Sequence, residues 1–133
     1  MTATLLAICI GACLGALSRW QLGLWLNPTS VEVAGTVLPL GTLAANLIGG
    51  YLVGVCVAVF QAMPQLDPLW RLSLVTGFLG ALTTFSSFSA EVVAMLMQQR
   101  YTLALVTASI HLFGSLLLTV AGILSVNQLL SSS

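Results

Sequence analysis

Four long apolar runs separated by short polar breaks make up almost the whole chain. They extend from Thr4 to Leu26, Leu38 to Phe60, Leu69 to Met97 and Tyr101 to Val126. Each run is long enough to cross a bilayer as a helix, because a crossing takes about 20 mostly apolar residues. The 133 residues leave room for four crossings and no separate domain. The pattern predicts an all-α integral membrane protein, a single four-helix transmembrane domain over residues 1–133.

The scarcity of charge supports this prediction. Of all residues, 59% are hydrophobic and only 5% are charged, with three Arg, no Lys and a formal net charge of zero. A water-soluble domain of this length carries far more charge on its surface. The same composition argues against a nucleic-acid partner, since phosphate binding needs clustered positive charge. No nucleophile, base and orienting group fall at a recognisable spacing, so we expect no enzyme activity.

The three arginines favour neither orientation in the membrane. Orientation follows the Arg and Lys bias between the two sets of loops. Arg71 lies on one side, whereas Arg100 and Arg19 lie on the other. A chain with so small a bias can insert both ways, and two opposed copies can pair about a two-fold axis in the membrane plane. Charge counting thus leads to the hypothesis of an antiparallel, dual-topology homodimer.

Glycines spaced four apart occur in the first two runs. Gly11 and Gly15 form one such pair, and Gly50 and Gly54 form the other. Small-residue faces of this kind let membrane helices approach closely. We interpret them as packing surfaces of a tight bundle or dimer.

The third run contains a stretch, from Gly80 to Phe88, in which a continuous helix is disfavoured. Glycine and clustered threonine and serine at mid-membrane depth weaken a helix, and a break there is tolerated only if the freed backbone groups face protein, water or an ion. Carbonyls at the end of one half-helix favour a cation, while amides and hydroxyls at the start of the next favour an anion. The alternative is a kinked helix whose hydroxyls bond back to their own turn.

Asn46 and a phenylalanine pair are candidate site residues, each with an ordinary alternative. The amide of Asn46 offers two donors to an anion, and it could equally bond a neighbouring helix. Phe85 and Phe88 share one helical face, with Ser89 beside them. Such rings ordinarily face lipid or core, but their positive edges can also point at a small anion.

Polar groups in the other runs are also costly in lipid and need a partner or a cavity. Arg19 either snorkels to the interface or supplies positive potential at a pore mouth. Glu91 could pair with an arginine or cap a polar track. His111, Ser115 and Thr119 follow one another at intervals of four, so they form one stripe that could line a pore or bond another helix.

The third run also carries a long motif. Residues 83–89 read Thr-Thr-Phe-Ser-Ser-Phe-Ser, preceded by Gly77-x-x-Gly80. This resembles the TTFSTF-type signature of the Fluc (CrcB-type) fluoride channels. Landmarks in the other runs agree in order: Arg19-Trp20, Gly41-Thr42-Leu43 to Asn46, and Gly114-Ser115 with Gly122. The resemblance spans nearly the whole chain.

The resemblance implies an antiparallel homodimer in the plasma membrane, expected to be a bacterial inner membrane. It implies two pores for passive fluoride export and a structural Na⁺ on the dimer axis, held by backbone carbonyls of Gly80 and Thr83. The fluoride pathway then falls on Asn46, Phe85, Phe88, Ser86, Ser87, Ser89, Ser115 and Thr119. His111 stands where many members carry a small hydroxyl residue, so its role is left open.

Two other functions fit four crossings. A small multidrug-type, proton-coupled cation antiporter needs a membrane-embedded carboxylate. The first run has none, and Glu91 is the sole candidate. A non-transporting scaffold would need neither the break nor Asn46.

Overall fold

The computed structural model describes residues 1–27, 32–33, 36–37 and 39–132. Four helical segments of the described chain are long and apolar enough to cross a membrane: Thr2–Leu26 (α1), Leu40–Ala62 (α2), Pro68–Met97 (the third crossing) and Tyr101–Ser131 (α6). The chain is therefore a multi-pass membrane protein, as the apolar runs predicted. The helix ends differ from the predicted ones by up to five residues, and the predicted start at Leu38 lies outside the described residues.

The third crossing is built from four pieces. A short helix, Pro68–Arg71 (α3), continues into a π-helical segment, Leu72–Leu79, and a last turn, Gly80–Leu82 (α4). Two residues in extended conformation follow, and the helix resumes as Phe85–Met97 (α5). We call residues 83 and 84 the break.

The break is confirmed, but it is narrower than the predicted stretch from Gly80 to Phe88. Thr84 has φ −148° and ψ 116°, and its Oγ1 accepts a hydrogen bond from the Ser87 amide at 3.2 Å. This is an N-cap, which supplies a partner to an amide that the start of a helix leaves unpaired. Because Thr84 caps α5, Phe85 and Phe88 lie in its first turn.

A short antiparallel pair of strands joins the first two crossings. Glu32–Val33 (β1) pairs with Thr36–Val37 (β2), with Glu32 opposite Val37. The apolar runs did not predict it. The four crossings themselves are helical, as expected.

The glycine pairs bring helices of this chain close together. A Cβ added to Gly50 would lie 2.9 Å from the Ser115 carbonyl oxygen, and one added to Gly54 would meet the Thr119 carbonyl of α6. Gly11 and Gly15 of α1 similarly lie against backbone of the third crossing. The interpretation of these glycines as packing surfaces is confirmed. As a result, α2 lies along α6 and α1 along the first half of the third crossing.

Candidate functional site

The carboxamide of Asn46, on α2, bonds the backbone of the break. Its Nδ2 donates to the Thr84 carbonyl oxygen at 3.0 Å, and the Thr84 amide donates to its Oδ1 at 2.7 Å. Thr84 is buried, so both backbone groups need protein partners. Of the two roles considered for Asn46, the structure shows the bond to a neighbouring helix.

His111, on α6, completes this cluster. Its Nδ1 lies 3.2 Å from Asn46 Nδ2, and the residue is only 6% exposed. The imidazole stacks on Phe88 with ring centroids 4.7 Å apart and an interplanar angle of 31°. Phe88 in turn contacts Phe85, with centroids 5.5 Å apart. Three crossings thus meet at one set of polar and aromatic groups.

A cavity of about 380 Å³ opens beside these groups, between α2, the break and α6. Its lining includes the predicted site residues Asn46, Thr83, Phe85, Phe88, His111, Ser115 and Thr119. Thr84, Gly49 and Gly50 also line it, together with Val53, Leu112 and Leu116. The predicted pathway residues Ser86, Ser87 and Ser89 are not part of this lining.

Two of those serines cluster instead around the Thr84 hydroxyl. Thr84 Oγ1 donates to Ser87 Oγ at 3.1 Å and lies 3.3 Å from Ser86 Oγ. Both serines are exposed on the surface of the chain, whereas Ser89 is half-buried. The sequence motif is therefore divided, with its aromatic rings at the cavity and its serines outside the cavity lining.

The polar stripe on α6 lines the cavity and also bonds another helix. His111, Ser115 and Thr119 all line the cavity. The Thr119 hydroxyl also lies 2.9 Å from the carbonyl oxygens of Gly50, on α2, and of Ser115, on its own helix, so its single hydrogen is shared between the two. Ser115 presents its side chain at the cavity without such a bond among the described residues.

In a continuous α-helix, the amides of Thr84 and Ser87 would donate to the carbonyl oxygens of Gly80 and Thr83; at the break they bond other acceptors. In such a helix the carbonyl of residue i accepts from the amide of residue i+4. Here the Thr84 amide donates to Asn46 Oδ1, and the Ser87 amide donates to Thr84 Oγ1. The backbone oxygens of Gly80 and Thr83 thereby lose their helical donors. Backbone carbonyl oxygens are suitable ligands for a hard cation.

The two charged candidates lie apart from the cavity lining. Glu91 Oε1 accepts a hydrogen bond from Thr42 Oγ1 at 2.6 Å, while its Oε2 is buried without a hydrogen-bond partner in the described part of the chain. Glu91 therefore bonds a hydroxyl of α2 rather than an arginine. Arg19 is half-buried near the end of α1.

Sequence reasoning gave Thr42 and Thr84 no individual role. Thr42 precedes Asn46 by four residues, so helical spacing already placed them on one face. Thr84 stands three residues before Ser87, which is the spacing of an N-cap interaction. These two spacings were the signals that could have found them.

Comparison with known proteins identifies the family. The family model described as CrcB-like protein, Camphor Resistance (CrcB), matches residues 6–123. The chain belongs to the CrcB-like family. A relative from Albidiferax ferrireducens is 76% identical to this CrcB-like chain over 120 residues, which cover 90% of this chain and 88% of the relative.

Two other relatives are similar over almost their full length. The one from Variovorax paradoxus is 61% identical, covering 97% of this chain and 98% of its own. The one from Paracidovorax citrulli is 58% identical, covering 94% of each. All three relatives carry the name fluoride-specific ion channel FluC. These similarities give no support to a cation antiporter.

Proposed function

We propose that this CrcB-like chain is a fluoride-specific channel through which F⁻ leaves the cell passively, across a bacterial inner membrane. One observation carries the proposal: the Asn46 carboxamide pairs with the Thr84 backbone at the break, beside a cavity lined by the Phe85 and Phe88 rings. The name shared by the three relatives supports the choice of ion. No catalytic activity is part of this proposal.

The chemistry of the cavity suits a small, tightly hydrated anion. A pore has to replace the hydration water of fluoride without binding the ion so strongly that it cannot leave. Aromatic ring edges carry a partial positive charge, and hydroxyl groups donate hydrogen bonds. The Phe85–Phe88 pair and Ser115 supply both kinds of group at the cavity. Fluoride that entered as neutral HF would leave along this path down its own gradient.

The working unit is an antiparallel homodimer. Gly80, Ser86 and Ser87 are exposed on the subunit surface near the middle of the third crossing, and Phe85 is 79% exposed. Polar groups and bare backbone at this depth are costly against lipid and need protein or water. A second copy placed against this surface would cover them. The small arginine bias supports opposite insertion of the two copies.

The carbonyls of Gly80 and Thr83, from each of the two copies, would hold a structural Na⁺ at the dimer axis. The redirected amides of the break fit this role, because they leave these oxygens without helical donors. The ion would supply positive charge to backbone groups otherwise bare in the membrane, and it would not be transported. Replacing Na⁺ by a large organic cation should then lower the dimer fraction in size-exclusion chromatography, and an unchanged fraction would contradict the site.

Flux from proteoliposomes tests the channel itself. We expect rapid fluoride efflux with chloride efflux at the background level. The Phe85→Ile variant should reduce fluoride efflux at least about tenfold, since it removes a ring edge from the anion path. Phe113→Ile is the matched control, because Phe113 is also exposed but does not line the cavity. Chloride efflux as fast as fluoride efflux would refute the proposal. Equal fluoride efflux from Phe85→Ile and Phe113→Ile would refute it as well.

A further inference from the structure

We infer that His111 is fixed as its neutral Nε2–H tautomer and donates this hydrogen to the anion in the cavity. The inference deepens the proposed function and rests on it. His111 lines the cavity and is 94% buried, yet one of its two ring nitrogens bonds Asn46 and the other has no hydrogen-bond partner among the described residues.

The orientation of the Asn46 carboxamide is fixed by the break. Its Oδ1 accepts from the Thr84 amide at 2.7 Å, and its Nδ2 donates to the Thr84 carbonyl at 3.0 Å. A flipped carboxamide would place nitrogen against the amide donor and oxygen against the carbonyl acceptor. Two backbone groups of known polarity therefore determine which atom of Asn46 faces His111.

The atom facing His111 is a donor, which determines the tautomer. Asn46 Nδ2 lies 3.2 Å from His111 Nδ1. A ring nitrogen can accept a hydrogen bond only when it carries no hydrogen, and in neutral imidazole the hydrogen then resides on the other nitrogen. Nδ1 is thus the acceptor, and Nε2 carries the hydrogen. An imidazolium would set one N–H against another at this contact.

The Nε2–H group has to find its acceptor in the cavity. The Nε2 atom is open to the cavity rather than fully enclosed, and none of the described residues provides an acceptor for it. A donor without a protein acceptor needs water or an anion as its partner. The stack against Phe88, with centroids 4.7 Å apart, restrains the ring, and the bond to Asn46 fixes its edge. The donor is preorganised, so it needs little further ordering when an anion arrives.

A neutral donor is well suited to a permeating ion. A neutral N–H already makes a charge-assisted hydrogen bond to an anion, and an imidazolium would add the Coulomb attraction of a full positive charge. Conduction requires binding that is favourable enough for entry and weak enough for exit. By holding His111 neutral, Asn46 supplies a hydrogen bond to fluoride without a full positive charge that would trap it.

Nitrogen NMR can observe this directly, because His111 is the single histidine of the chain. In protein labelled with ¹⁵N-histidine, we expect the long-range coupling pattern of the Nε2–H tautomer. Sodium fluoride should shift the Nε2 resonance, and sodium chloride at equal concentration should leave it unchanged. An Nδ1–H tautomer, or an Nε2 resonance that does not shift when fluoride is added, would overturn the inference.

Two nearly isosteric variants provide the functional test. His111→Asn keeps an acceptor and an N–H donor, whereas His111→Leu keeps neither. We expect His111→Leu to lower fluoride efflux at least about tenfold, as loss of a hydrogen bond to a charged group predicts, and His111→Asn to retain most of it. Both variants should elute like the wild type in size-exclusion chromatography.

The outcomes separate this inference from the proposed function. If the wild type conducts fluoride and the two variants conduct it equally, the channel proposal is supported and the role of His111 is refuted. A fall in His111→Leu without any fluoride-dependent shift of Nε2 refutes direct donation, since a merely positioning residue would behave in that way. Absence of wild-type fluoride flux refutes the channel and the inference together.

Discussion

At the scale of the residue, the Asn46 carboxamide replaces the partners that Thr84 loses where the helix breaks. It accepts from the Thr84 amide and donates to the Thr84 carbonyl, as a neighbouring peptide group would. Its second Nδ2 hydrogen reaches His111. One side chain therefore satisfies buried backbone and sets the polarity of the adjacent ring.

Asn46→Asp should disrupt both the pairing of the Thr84 backbone and the bond to His111. A carboxylate oxygen in place of Nδ2 would face the Thr84 carbonyl and His111 Nδ1, which are both acceptors. Leaving buried groups unpaired costs about 1–3 kcal/mol each. We expect fluoride efflux to fall at least about tenfold and the unfolding midpoint in detergent to decrease. Asn127→Asp, the same change at an exposed position of α6, is the control and should alter neither. Wild-type efflux in Asn46→Asp would contradict this account of the break.

At the scale of the element, glycine contacts set the distance between α2 and α6, and so the width of the cavity between them. Gly50 lies against the Ser115 backbone, and Thr119 donates to the Gly50 carbonyl one turn further along α6. The cavity residues His111 and Ser115 lie on the same helix as this contact. Packing of the two helices and the shape of the site are therefore coupled.

Gly50→Ala should destabilise the protein although alanine favours a helix. The added Cβ would lie 2.9 Å from the Ser115 carbonyl oxygen, and relieving that overlap requires movement of backbone. Overpacking of this kind costs about 1–3 kcal/mol, more than the helix propensity gained. A lowered unfolding midpoint in detergent is the expected result.

Gly23→Ala is the matched control for this substitution. Among the described residues its Cβ would meet only Asn27 Nδ2, at 3.6 Å, which is an ordinary contact. We expect the unfolding midpoint to be unchanged or slightly raised. If the two variants unfolded alike, close approach of α2 and α6 at Gly50 could not be the reason for glycine there.

At the scale of the whole molecule, the exposed surface around Gly80 and Phe85 would be covered by the second, oppositely oriented copy of the proposed dimer. Equal labelling of a C-terminal tag from both sides of the membrane is the expected result for dual topology. Labelling from one side alone would refute it.

Orientation can also be forced by added charge. Gln61→Lys with Gln65→Lys adds positive charge at the end of α2 and in the loop that follows it, and Gln99→Lys with Thr102→Lys adds it to the opposite side. Because positive loops stay in the cytoplasm, each double variant should insert one way. Expressed singly, each should give little fluoride efflux, and co-expression should restore it. Full efflux from either variant alone would contradict the antiparallel dimer.

Local sequence predicted part of the site. The motif at residues 83–89 placed a break in the third crossing and two rings on one face of the helix that follows, and both features depend on interactions within a few residues. The spacing of His111, Ser115 and Thr119 likewise placed them on one face of α6. The partner of Asn46 was undetermined, because an amide can bond an anion or a helix and local spacing does not distinguish them.

The sequence by itself determined the four crossings, since apolar runs of this length with so little charge are stable as helices only in lipid. It also indicated the stretch, Gly80 to Phe88, within which the third crossing breaks. Only the tertiary structure decided what the break does. Asn46 and His111 are 65 residues apart, and their contact depends on how α2, the third crossing and α6 pack together. That packing gives Asn46 its backbone partners and His111 its tautomer, which no local pattern specifies.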